Sequence, residues 1–218
     1  HGEAQEKKVE EMIQAVGLDP KEARTRRPHE YSGGQCQRIS VARALVLDPK
    51  VIICDEPVSS LDVSVQARIL NMLQDMKEEY GLTLLFISHD LSVVKNVSDR
   101  VAVMYLGKIC EIGDGDLIYE KPTHPYTRLL LAAIPDPKNK HKDITDILEG
   151  ELPSPLNPPS GCRFRTRCPR ATEKCAAEEP EFRQIGSDDH WVACHFPHIE
   201  EEELVSDDEI SWPPDDQK

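Results

Sequence analysis

No apolar run in the sequence approaches the roughly 20 residues that a membrane-spanning helix requires. The longest, residues 84–87 and 129–134, are far shorter, so any membrane role would have to pass through a partner. A secretory signal is also missing. The first residue is His1 rather than Met, which reads as a fragment or a processed chain. Positive charge is scarce: 26 Lys and Arg stand against 40 Asp and Glu, for a net charge of -14. That balance argues against nucleic acid as a partner, because the phosphate backbone recruits cations. Much of the acid collects at the end, in residues 200–203 and again in Asp207, Asp208, Glu209, Asp215 and Asp216. Residues 198–218 therefore read as a solvated, disordered tail, with a specific acidic interaction tail as the alternative. Internal repeats are absent.

Closely spaced cysteine pairs are absent too. Cys36, Cys54 and Cys110 are scattered, while Cys162, Cys168, Cys175 and Cys194 gather near the end with wide gaps. Without a signal peptide, a reducing, cytosolic setting is expected over a disulfide framework. The four-cysteine segment, residues 161–197, follows a Pro-rich stretch and is too small to build its own core, which predicts a metal staple. Thiolates bind zinc or iron–sulfur clusters. Zinc sites favour tight Cys-x2-4-Cys pairs. The wider gaps here suit a [4Fe–4S] cluster held by Cys162, Cys168, Cys175 and Cys194, with Arg163, Arg165, Arg167 and Arg170 offsetting its charge. Zn²⁺ is the alternative ligand, and free thiols or disulfides the third. His190, His195 and His198 read as surface residues, with one of them replacing a cysteine as ligand as the alternative.

Apolar spacing predicts the elements. Val9, Met12, Ile13 and Val16 recur at helical intervals over residues 3–16, and Gly17 stops the run. A polar stretch follows, then a helix from residue 32 or 33 to 47, ended by Asp48-Pro49. Val51-Ile52-Ile53-Cys54 is continuously apolar, as expected of a strand buried on both faces of a parallel sheet. Asp62 and Ser64 can cap a helix whose core face is Ile69, Met72, Leu73 and Met76, ended by Gly81. Residues 83–87 make a second buried strand, residues 91–97 a short helix, and residues 100–106 and 108–112 a hairpin joined at Gly107. Strands alternating with helices imply an α/β fold. Six prolines between residues 135 and 159 mark a linker over 135–160.

Three short motifs carry phosphate chemistry. In Ser32-Gly33-Gly34-Gln35, two glycines at a helix start let backbone N–H groups approach an anion. The apolar strand at 51–54 ends in Asp55-Glu56, and ligands in such sheets bind at the carboxyl ends of strands. There Asp55 would hold Mg²⁺ and Glu56 would polarise an attacking water. The strand at 83–87 ends in Ser88-His89-Asp90, where His89 could contact a γ-phosphate. Any one motif is common in structural turns. Together with Ser60-Leu61-Asp62, in this order, the set resembles the ABC ATPase family over residues 1–134.

That resemblance implies the C-terminal part of an ABC ATPase domain: a helical signature part at 1–47, a parallel-sheet core at 48–112, and the start of a family extension at 113–134. It implies that Ser32, Gly33, Gly34 and Gln35 contact ATP held by a partner subunit. Asp55 and Glu56 become the Mg²⁺ aspartate and catalytic glutamate, Asp62 lies in the loop that crosses a dimer interface, and His89 is the switch histidine. One departure stands out. The phosphate-cradling Gly-x-x-x-x-Gly-Lys-Ser/Thr does not occur, and Gly107-Lys108 lacks both its flanks. The chain alone is thus expected to bind ATP weakly and not to hydrolyse it.

Arg27-Pro28-His29-Glu30-Tyr31, Cys54-Asp55-Glu56-Pro57-Val58-Ser59-Ser60-Leu61-Asp62 and His124-Pro125-Tyr126-Thr127 are similar to the ATPase subunits of bacterial oligopeptide/dipeptide importers, with nickel importers sharing these features. The resemblance implies a second ABC ATPase subunit, two transmembrane permease subunits and, indirectly, a peptide-binding receptor. It also implies a peripheral place on the cytoplasmic face of the membrane. A soluble ABC ATPase acting on DNA or ribosomes would be expected to carry a coiled coil or basic inserts, and neither occurs. A non-catalytic regulatory paralogue is the other reading, although Glu56 and His89 are intact.

Overall fold

The computed structural model describes residues 2–134, 151–186 and 189–199. The chain forms two compact units, His1–Val93 and Val94–Lys218.

The first unit runs α1 (Gly2–Ala15), α2 (Pro20–Thr25), a 3-10 turn (Pro28–Glu30), α3 (Gly33–Leu45), β1 (Val51–Asp55), α4 (Val63–Tyr80) and β2 (Thr83–Ile87), and reaches into α5 (Leu91–Val97). The polar stretch after α1 is partly helical. Asp19 caps α2 by accepting the Lys21 N–H, and Pro20 takes the first helical position, where a missing N–H costs nothing. That helix has no buried residue, so apolar periodicity could not announce it. The longer helices follow their stripes. Ile69, Leu73 and Met76 of α4 pack with Met12, Val16, Val41, Leu45 and Ile52 into one core. Each such side chain contributes about 1.5–3 kcal/mol by leaving water. Gly81 ends α4 at φ 62°, a left-handed turn that an L side chain resists.

Strands β1 and β2 pair in parallel, Val51 with Thr83 through Asp55 with Ile87. The expectation of burial on both faces fails here. Ile52 and Cys54 are buried, while Val51, Ile53, Leu85 and Ile87 are 55%, 66%, 53% and 45% exposed. Among the described residues, helices cover one face of this pair and leave the other open. A continuous apolar run records a wish for two covers, not the presence of both.

The second unit holds β3 (Arg100–Tyr105), β4 (Lys108–Asp114), α6 (Gly115–Glu120), α7 (Pro125–Ala132), α8 (Glu173–Ala177), β5 (Phe182–Gln184) and β6 (His190–Ala193). The hairpin β3–β4 is the expected one, with a bulge between Val103 and Met104. Its sheet is antiparallel, in the order β3-β4-β6-β5, so strands from the cysteine segment pair directly with the hairpin. Tyr105, Cys110 and Phe164 form one apolar cluster, and Trp191 and Val192 of β6 are fully buried. Residues 135–150 of the expected linker lie outside the described residues, as does nearly all of the acidic tail. Residues 151–160 form no helix or strand.

Candidate functional site

The predicted phosphate residues of the first unit fall in two groups. One is built where β1 and β2 end. Asp55 is the last residue of β1, exposed, with no side-chain partner among the described residues. Glu56 follows at φ 48°, a left-handed conformation that costs a non-glycine residue of order 1–3 kcal/mol. Its N–H donates to Ile87 O at 3.0 Å, so the end of β2 holds the strained turn in place. The turn brings Glu56 Oε1 within 2.8 Å of His89 Nδ1. That hydrogen bond, with the attraction of the carboxylate, raises the His89 pKa above its ordinary 6.5. A carboxylate bound to Nδ1–H leaves Nε2 of His89 for a third group. Both side chains are open, His89 77% and Glu56 36% exposed.

The second group joins the Ser-Gly-Gly-Gln turn to the start of α4. Ser32 accepts the Gln35 N–H and the Gln35 side chain accepts the Ser32 N–H, a reciprocal capping box that opens α3. Asp62 caps α4 through the Val65 N–H at 3.0 Å and accepts from the Ser64 hydroxyl at 2.7 Å. These hydrogen bonds, led by that from Ser64, hold its carboxyl below the usual range. A Cβ on Gly34 would stand 2.6 Å from Val65 Cγ1, and one on Gly33 3.3 Å from Leu61. The glycines therefore serve packing within this chain as well as any anion. The turn at residues 32–35 and the loop at residues 61–65 form one surface.

In the second unit, Cys162, Cys168, Cys175 and Cys194 all line one small cavity with His124, Pro125 and Phe164. All four are free thiols. Burial raises Cys162 and Cys168, and pushes Cys194 up to about 11. The Cys162 N–H donates to Cys175 O at 2.8 Å, and Gly161 allows that approach, since a Cβ there would meet the same oxygen at 2.4 Å. Two buried donors nearby, Tyr105 Oη and Arg167 Nε, have no partner among the described residues. Arg163 donates to Leu106 O, tying this segment to the hairpin turn. Among the described residues, no three His, Cys, Asp or Glu side chains are placed to hold one metal ion.

The residues that sequence reasoning missed lie beside this cavity. Cys110 is a further thiol, buried and packed with Cys162 and Cys168, and burial pushes it up to about 12. Glu111, fully buried at the centre of β4, accepts from His190 Nε2 at 2.7 Å, from the Thr123 N–H and hydroxyl at 2.6 and 2.7 Å, and from the His124 N–H at 3.1 Å. Burial alone would raise its pKa, but these hydrogen bonds, led by that of His190, hold it below the ordinary value. His190 is 5% exposed and so is not the surface residue expected of it. Its partner is 79 positions away, a pairing with no local signature. His195 and His198 are half-buried. His124 is 1% exposed, and burial pushes its pKa down to about 4.

Two family descriptions match. Residues 2–59 match the model described as ABC transporter, and residues 110–175 match that of the oligopeptide/dipeptide transporter C-terminal region. Among curated relatives, the oligopeptide transport ATP-binding protein OppF of Escherichia coli is 57% identical over 86% of this chain and 56% of its own length. The protein of the same name from Haemophilus influenzae is 55% identical over the same shares. A putative oligopeptide transport ATP-binding protein, YkfD of Bacillus subtilis, is 53% identical over 86% of this chain and 57% of its own. The chain thus spans about half the length of the curated relatives it matches. Among solved structures, the ADP conformation of an ATP-binding cassette of an ABC transporter superposes with a TM-score of 0.50 at 28% identity, over 56% of this chain and 48% of that one.

Proposed function

Since the chain belongs to the ABC transporter ATPase family, in its oligopeptide/dipeptide branch, we propose that it is part of an ATP-hydrolysing subunit that powers import of oligopeptides or dipeptides. The observation that carries the reading is the Glu56–His89 pair at 2.8 Å, set at adjacent strand ends. Glu56 accepts a proton from water as that water attacks the γ-phosphorus and the bond to the β-phosphate oxygen breaks. His89, oriented by Glu56, presents Nε2 to the γ-phosphate. Asp55, exposed and unpartnered beside Glu56, has the free hard oxygen ligands that Mg²⁺ requires. When bound, the metal neutralises charge on the phosphates. Ser32, Gly33, Gly34, Gln35 and Asp62 form the surface that completes a site on a second ATPase subunit. Two membrane permease subunits, a receptor that delivers the peptide, and a position on the cytoplasmic membrane face belong to the same reading.

The four cysteines are assigned to a [4Fe–4S] cluster. Four thiols around one cavity that Arg165 and Arg170 also line suit a body of net negative charge. Zn²⁺ is the alternative occupant, and among the described residues no three such donors are placed to hold a metal ion of either kind. The cluster, when bound, supplies a structural staple and a one-electron couple.

Glu56→Gln, made in the ATP-hydrolysing assembly, tests the catalytic reading. Steady-state turnover should fall by about 10²–10⁴ while nucleotide binding is kept. Unchanged turnover would sink it.

A further inference from the structure

Glu56 sits at φ 48°, and such a left-handed backbone persists in a non-glycine residue only where its surroundings over-determine it. Two short turns follow it. The Ser59 N–H and hydroxyl both donate to Glu56 O, at 3.4 and 3.2 Å, and the Leu61 N–H donates to Val58 O at 3.2 Å. These bonds are internal to residues 56–61 and move with them. Among the described residues, two hydrogen bonds grip this backbone from outside. On one side the Glu56 N–H donates to Ile87 O of β2 at 3.0 Å. On the other, Gln66 Nε2 of α4 donates to Val58 O at 3.0 Å. Val58 is 3% exposed, so its carbonyl draws its partners from the protein, and Leu61 and Gln66 fill both lone pairs. The helix that presents Gln66 is itself anchored, because Ile69, Leu73 and Met76 are buried in the core.

We propose that Gln66 is a positioning residue for ATP hydrolysis: its amide holds Val58 O, and through the turn it holds Glu56 where the carboxylate meets His89 and the attacking water. This rests on the hydrolytic reading of Glu56 given above. Only Pro57 separates Val58 from Glu56, and its ring fixes φ, so a shift of Val58 reaches Glu56 with little slack. Gln66 makes no hydrogen bond to Glu56 or His89 among the described residues and therefore acts through the backbone. Turnover is more sensitive than stability to such a shift. A reacting group misplaced by about 1 Å loses on the order of 10²-fold in rate, whereas Val58 O would keep its bond from Leu61 and would not be orphaned.

Two substitutions at this position separate the hydrogen bond from the bulk of the side chain. Gln66→Met keeps length and helix propensity but has no N–H donor. Gln66→Arg keeps a donor, because its Nε–H stands the same number of bonds from Cβ as the glutamine amide nitrogen. Each variant is made in the ATP-hydrolysing assembly, alone and with Glu56→Gln, and turnover at saturating ATP, nucleotide affinity and melting temperature are measured. Gln66→Met should lower turnover by about 10-fold or more while affinity and melting temperature stay near those of the parent. Gln66→Arg should recover most of the loss. In the Glu56→Gln background, Gln66→Met should slow the residual rate no further, since a residue that acts through Glu56 has nothing left to position. Unchanged turnover in Gln66→Met overturns the proposal, and so does an equal loss on top of Glu56→Gln. Gln66→Arg as slow as Gln66→Met overturns the hydrogen bond as the cause, and a melting temperature that falls in step with turnover makes the role structural. All of these leave the hydrolytic reading standing if Glu56→Gln alone is slow; if Glu56→Gln turns over normally, that reading falls and this inference with it.

Discussion

The two units handle polar side chains in opposite ways. In the first, the candidate site residues are open: His89 and Glu56 pair at a strand end with most of the histidine in solvent. The opposite face of β1 and β2 is open as well. In the second, the strongest polar cluster is sealed. Glu111 has no exposed surface and answers four donors from two separate stretches of chain. An exposed pair gains little stability, because water competes for both partners. A buried one becomes costly the moment a partner is lost. The first unit therefore leaves its paired carboxylate and imidazole open to solvent, and the second buries its polar cluster within β4, β6 and the start of α7.

The contrast can be broken most directly at Glu111. Glu111→Ala leaves His190, Thr123 and the His124 N–H buried without an acceptor, and unfolding free energy should drop by about 3–5 kcal/mol in urea denaturation. The same carboxylate predicts a pH dependence. Its folded pKa lies below the ordinary 4.5, so its stabilisation is present above that pH and is lost as pH falls further. Acid unfolding that ignores Glu111→Ala would remove the contrast. A smaller effect is expected at Gly34. The added methyl of Gly34→Ala meets Val65 Cγ1 at 2.6 Å, and a β-branched side chain in a helix has little room to turn. The loss should be about 1–3 kcal/mol, with Gly34→Ala and Val65→Ala combined losing less than their sum. Strict additivity would mean that the glycine is not required by packing. Smallest is Ser32→Ala, which removes one half of the capping box and should cost about 1 kcal/mol by the same assay. If Ser32→Ala proves as damaging as Glu111→Ala, the two units do not differ in the way described.

Much of the first unit is legible in the sequence because its signals are local. Caps act within three residues, as Ser32 does on Gln35 and Asp62 on Val65, and a helical stripe repeats every three or four. Strand ends are marked by where apolar residues stop, which is why Asp55, Glu56 and His89 could be singled out. Helix α2 escaped because it buries nothing, although Asp19 before Pro20 was a usable signal. The open face of β1 escaped because periodicity reports composition, not neighbours.

Residue order alone thus determined helices α1, α3, α4 and α5, the hairpin at Gly107, the order of the phosphate motifs and the four cysteines as a group. Tertiary structure alone decided that Glu56 and His89 touch across 33 positions, that Gly34 packs on Val65, and that β6 pairs with β4. It alone decided, too, that His190 lies buried on Glu111. Short-range structure follows from backbone sterics and nearby hydrogen bonds, which a few adjacent residues specify. A long-range pair forms only when many weak packing preferences are satisfied together, and no stretch of sequence near either partner records that sum.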